Sequence, residues 1–126
     1  MPKQIILTDK APAPIGPYSQ AVMINNTLYC SGQIPLDPKT GQMMQANIKE
    51  ETEQVMHNIA AILDAAHMNW DNVVKASIFI TDMNNFAAIN EVYGTYFSQE
   101  PPARETVQVS KLPKGANVEI SVIAVG

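Results

Sequence analysis

The chain has 126 residues, 46% hydrophobic and 16% charged, with a formal net charge of −4. That is one domain with enough apolar material for a core, which excludes a disordered chain, and the acidic balance argues against a protein that works by neutralising phosphates. No apolar run approaches the ~18 residues of a membrane helix, MPKQIILTDK is no signal peptide, and Cys30 is alone, so no internal disulfide can form and a cytoplasmic setting is expected.

Taken in chain order, Ile5–Leu7 is a short strand candidate, and residues 11–17 (APAPIGP) form a loop stiffened by three prolines. Residues 19–24 and 27–31 read as strands around Asn25-Asn26, a pair that tolerates the positive φ of a tight hairpin. PLDPKTG (35–41) is again loop. Ile48, Thr52, Val55, Ile59, Ile62 and Ala66 then recur every three or four residues, with acidic residues crowding the first turns. This is the pattern of an amphipathic helix of about five turns lying on a core. Residues 73–80 form a strand, with Val74, Ala76, Ile78 and Ile80 expected on one face and Val73, Lys75, Ser77 and Phe79 on the other. Asp82 caps a second helix whose stripe is Phe86, Ile89, Tyr93 and Tyr96/Phe97. Residues 104–109 and 117–125 are the last two strands.

The order β, ββ, α, β, α, ββ implies an α+β sandwich with two helices on one face of a mixed six-stranded sheet. The last strand offers Val118, Ile120, Val122 and Ala124 to the helices, and Glu119 to the uncovered face. By the same alternation Val107 and Val109 are assigned inward, which places Arg104, Thr106 and Gln108 on the uncovered face beside Glu119. That face also carries Val73, Phe79, Ile123 and Val125, so burial against other subunits is expected.

Arg104 is the only arginine beside seven lysines. An arginine is distinct where a planar two-pronged donor must grip a carboxylate or phosphate. Two readings of Arg104 and Glu119 stand open from the pattern: a structural cross-strand ion pair, or a site in which Arg104 holds a carboxylate and Glu119 holds or activates water. Tyr18, in the rigid GPYSQ loop, either packs on the surface or presents its hydroxyl to a ligand. Ser31-Gly32 is either a plain strand exit or a place of close backbone approach by a ligand. His57 and His67 are ten residues apart and lack metal-ligand spacing, so no metal is expected. Hydrolase-elbow, phosphate-loop and dinucleotide motifs do not occur.

Longer segments carry a resemblance. GPYSQA (16–21), SGQIPLDPKTG (31–41), VVKASIFITDMNNFAAINEVYGTYF (73–97) and PPARETVQVSKLPKGANVEI (101–120) are similar, in order and nearly end to end, to the RidA (YjgF) family. The resemblance implies a chorismate-mutase-like α+β fold, a homotrimer enclosing a barrel, and ligand clefts between subunits. It implies an enamine/imine deaminase that hydrolyses 2-iminobutanoate and 2-iminopropanoate, products of pyridoxal-phosphate-dependent dehydratases, to 2-keto acids and ammonia with no cofactor of its own. On that basis Arg104 pairs with the substrate carboxylate, Glu119 positions water, and Tyr18 lines the cleft. Ser31, Gly32, Phe86, Asn90 and Thr106 complete the pocket.

The chain departs from the family pattern in three places. Thr106 stands where relatives often have cysteine, which removes any thiol role. Glu105 replaces a small polar residue, and its charge could weaken anion binding, although its side chain should face away from Arg104. Ser121-Val122 replace the usual Glu-Ala, which affects packing between subunits. The rivals to a deaminase are a non-catalytic trimer that senses 2-keto acids and an endoribonuclease or translation inhibitor. The acidic charge and single arginine weigh against the latter.

Overall fold

Why each segment takes its form can be followed in the computed structural model of the chain, which describes residues 2–126. The strands are β1 (Gln4–Ile6), β2 (Ala21–Ile24), β3 (Thr27–Gln33), β4 (Val73–Ile80), β5 (Ala103–Gln108) and β6 (Val118–Val125); the helices are α1 (Ile48–Ala65) and α2 (Phe86–Gly94). The hairpin between β2 and β3 turns on Asn25, whose φ is +52°, with Ile24 paired to Thr27. At the start of α1 the Asn47 side chain accepts a hydrogen bond from the Glu50 backbone N–H. At its end, Met68 N–H reaches Leu63 C=O and His67 N–H reaches Asp64 C=O. His67 takes the left-handed conformation (φ +59°) that this closure requires, a place more often held by glycine.

The strands form one sheet in the order β1-β2-β3-β6-β4-β5. Neighbours are antiparallel except β4 and β5, which are parallel and joined through α2. Val55, Met56, Ile59, Ile62 and Leu63 of α1 are fully buried against the sheet; each contributes about 1.5–3 kcal/mol by leaving water. Facing them are Leu28, Ala76, Ile78, Ile120, Val122 and Ala124. Cys30 lies in the same layer, and burial pushes its thiol up to about 12, so it packs as a small apolar residue. Glu51, on α1 but 1% exposed, accepts hydrogen bonds from Asn117 N–H (2.7 Å), Asn117 Nδ2 (3.0 Å) and Gln45 Nε2 (3.2 Å). It thereby fixes the entry into β6, two residues before Glu119. Among the described residues no helix is long and apolar enough to cross a membrane.

Two expectations about strand faces need correction. In β4 the pairing with β6 shifts between Val73 and Lys75. The irregularity turns Val73 into the core and leaves Val74 48% exposed, the reverse of strict alternation, while Lys75–Ile80 keep the expected faces. In β5 both faces are exchanged. Parallel pairing sets Arg104 beside Ala76, Thr106 beside Ile78 and Gln108 beside Ile80, all on the helix side. Val107 pairs with Phe79 on the uncovered face and is 41% exposed. The reason is that β5 is an edge strand covered by the α2 segment, which offers polar partners: Asn90 to Arg104, and the Met83 N–H (2.7 Å) to Gln108. Choosing the more apolar set as inward fails where the covering element pairs with polar side chains.

On the uncovered face, Lys75 Nζ lies 3.0 Å from Glu105, and the Ser77 hydroxyl donates to the same carboxylate. Those two contacts hold the Glu105 carboxyl below the usual range. Glu105 does face away from Arg104, as expected.

Candidate active site

Tyr18, Ser31, Gly32 and Glu119 come together in one cleft of about 350 Å³, closed by Ile15, Ile34 and Pro113. The loop carrying Tyr18 is held by more than its prolines. Gln20 is buried beneath it, donating from Nε2 to the carbonyls of Thr8, Ala11 and Pro12 and accepting from Thr8 N–H at 2.7 Å. Tyr18 N–H closes a tight turn on Gly16 C=O (2.8 Å), and Ile15 N–H donates to the Tyr18 hydroxyl at 3.3 Å. The Ser31 hydroxyl donates to Ser19 C=O (2.6 Å), pinning strand β3 to this loop.

Glu119 projects across β3 at the point where its pairing with β6 is irregular, between Cys30 and Gln33. A Cβ on residue 32 would stand 2.6 Å from Glu119 Oε2 and 2.8 Å from its Cδ. Gly32 is therefore what lets the carboxyl lie down on the strand. Burial pushes the Glu119 carboxyl above the ordinary carboxylate range. The two side-chain ion pairs among the described residues, Lys49–Glu91 and Lys75–Glu105, do not involve it. A half-buried carboxyl of raised pKa beside a phenol and open space is suited to taking a proton from water.

Arg104, Phe86, Asn90 and Thr106 form a second cluster with Ile78, Ile80 and Ile89. Arg104 Nη1 donates to Asn90 Oδ1 at 2.6 Å, and its guanidinium carbon lies 5.0 Å from the Tyr93 ring centre and 5.7 Å from that of Phe86. The Thr106 hydroxyl is buried nearby without a hydrogen-bond partner among the described residues.

The eight candidate residues thus fall into two groups of four on opposite faces of the sheet: Glu119 pairs with Phe79 on the uncovered face, Arg104 with Ala76 on the helix face. The expectation that Arg104 and Glu119 share a face is overturned, and with it the reading of a cross-strand ion pair within the chain. Reading the residues alone also assigned no site role to Gln20, Glu51 and Tyr93. A glutamine directly after a proline-rich loop is a usable signal for the first. A glutamate at a helix start conceals the second, because only the docking of Asn117 shows it to be buried.

Comparison with known proteins identifies the family. Residues 8–126 match the family model described as Endoribonuclease L-PSP. A RutC family protein of Pyrococcus horikoshii is 51% identical over 122 residues, covering 97% of each chain. The mouse 2-iminobutanoate/2-iminopropanoate deaminase is 49% identical over 123 residues, covering 98% of this chain and 91% of that one. A crystal structure of a protein of the conserved Rid family from Yersinia pestis superposes with a TM-score of 0.97 at 50% identity, covering 99% of this chain and 100% of that one. With motifs, sheet order and near-complete coverage in agreement, this chain belongs to the RidA (YjgF) family.

Proposed function

We propose that the protein hydrolyses small 2-imino acids, 2-iminobutanoate and 2-iminopropanoate among them, to 2-keto acids and ammonia. The observation that carries this reading is the Glu119 carboxyl, raised in pKa by burial and seated on Gly32 beside Tyr18. The deaminase name of a mammalian relative at 49% identity supports it.

Because Arg104 and Glu119 stand on opposite faces of one sheet, the complete site needs a second copy of the chain to bring its Arg104 edge to the Glu119 cleft. A closed ring of such heterologous contacts is a homotrimer in this proposal, and the partly apolar uncovered face, with Phe79, Val107 and Ile123, gives the copies something to bury. Arg104 grips the imino acid's carboxylate and aligns the C=N carbon. Glu119 takes a proton from water as the water oxygen bonds to that carbon, and passes it to the imine nitrogen. The hydroxyl proton of the resulting carbinolamine then moves through Glu119 to the amino nitrogen, the C–N bond breaks with its electron pair going to nitrogen, ammonia departs, and the carbonyl of the 2-keto acid remains. No redox partner is needed, and one positioned base supplies ~10²–10⁴-fold over the spontaneous reaction. The proposed setting is cytoplasmic, beside the dehydratases that release such imines.

The test couples the protein to a threonine dehydratase and follows keto-acid release above the spontaneous rate. Arg104→Ala is expected to leave only the spontaneous rate. Arg104→Lys is expected to lose most of the acceleration, because a point charge does not reproduce the fork. Tight binding of 2-keto acids without any acceleration would favour a sensor instead.

A further inference from the structure

We infer that Tyr93 is a positioning residue for Arg104: with Phe86 and Asn90 it makes α2 a three-point clamp that presents the guanidinium fork to an anionic ligand. The inference rests on the function proposed above and adds to it a residue with no assigned role.

The spacing 86, 90, 93 puts all three side chains on one face of a helix. Seven residues of α-helix rise about 10.5 Å. The guanidinium carbon, 5.7 Å from one ring centre and 5.0 Å from the other, sits between the two ends of that face. Asn90, between them in sequence, takes one Nη1 hydrogen at 2.6 Å, a short charge-assisted bond. A guanidinium carries five N–H donors, so Asn90 orients the plane while the rest of the fork stays free for a carboxylate.

What Tyr93 supplies is its ring. Its hydroxyl is buried and has no hydrogen-bond partner among the described residues, so it gains nothing from being a phenol within this chain. Burial also pushes the phenol above its ordinary pKa, which keeps it neutral and rules out a phenolate–guanidinium pair. The contact left is the guanidinium against the aromatic ring. The clamp is itself anchored. Ile89 of α2 is buried in the core, and Tyr96, just past α2, donates its hydroxyl to Glu53 of α1 at 2.7 Å. Arg104 therefore meets a helix fixed to the core, and its rotamer is set before any ligand arrives.

The experiment compares wild type, Tyr93→Leu and Tyr93→Phe with two ligands: 2-oxobutanoate, and 2-oxobutanamide, which lacks the carboxylate charge. Isothermal calorimetry should show 2-oxobutanoate binding weakened about three- to thirtyfold in Tyr93→Leu, amide binding within twofold of wild type, and Tyr93→Phe restoring acid binding to within twofold. Arg104 is the only arginine, so its Nε–H gives a single NMR signal. That signal should lose its ring-current shift in Tyr93→Leu and keep it in Tyr93→Phe. Equal weakening for acid and amide, unchanged acid binding in Tyr93→Leu, failure of Tyr93→Phe to rescue, or an unmoved Arg104 signal would each overturn the inference. The NMR readout needs no turnover. If wild type neither binds keto acids nor accelerates imine hydrolysis, the proposed function fails on its own; the Arg104 signal then still decides whether Tyr93 holds the arginine.

Discussion

The two halves of the candidate site are built on different principles. The basic half is assembled within one chain: Arg104 has a hydrogen-bond acceptor, two aromatic rings and an anchored helix around it. The acidic half is open: Glu119 lies on a glycine in a half-exposed cleft, raised in pKa because burial has not been matched by a charge of opposite sign. In the proposed function the cation is thus oriented before binding, while the carboxyl is kept under-partnered, as a base that must take up a proton requires. Since the halves face opposite ways, neither satisfies the other inside a monomer. An internal ion pair would lower the carboxyl's pKa and occupy the fork.

That contrast can be broken by separating the halves. Arg104→Ala and Glu119→Gln should each reduce the accelerated rate to near background. Unfolded together in equal amounts and refolded, they should recover about a quarter of the wild-type rate, because a heterologous ring then forms some sites with both residues intact. Recovery of nothing, with mixed oligomers confirmed by mass spectrometry, would show that each site draws both residues from the same chain. A smaller effect is expected from Gly32→Ala. The new Cβ would meet the far end of a flexible side chain at 2.6 Å, so the fold survives while the carboxyl moves. A displaced base costs on the order of 10²-fold in kcat, with the thermal midpoint nearly unchanged. An activity close to wild type would mean that the carboxyl's seat on β3 is not its working position.

The smallest effect concerns stability. The Glu119 pKa is raised in the folded protein, so the unfolded chain releases this proton at lower pH. Its ionisation opposes folding as pH rises through and above that window, and the burden is absent below the unfolded value near 4.5. Glu119→Gln should therefore raise the melting temperature at pH 7, and the gain should shrink steadily towards pH 4. A gain independent of pH would point to packing rather than charge.

Much of this was readable in the chain. The α1 stripe, the Asn25 hairpin, the β6 alternation and the segments gathered around Tyr18 and Glu119 all follow from local periodicity or from motif. The identities of the eight candidate residues were also available before their arrangement was. The failures both come from structure that is not local. A period of two says that Arg104 and Val107 face opposite ways, but not which of them faces in. That choice depends on what covers the strand, and β5 is covered by Asn90, Phe86 and Tyr93 rather than by an apolar layer alone. The shift at Val73–Lys75 is likewise a property of strand pairing.

The sequence by itself determined the elements, the family and the chemical types available: one guanidinium, one carboxyl in the last strand, one phenol in a stiff loop. Only the tertiary structure decided that the guanidinium and the carboxyl stand back to back across one sheet. The physical reason is that side-chain periodicity is local, whereas the sign of a face is set by the elements that long-range packing lays against it.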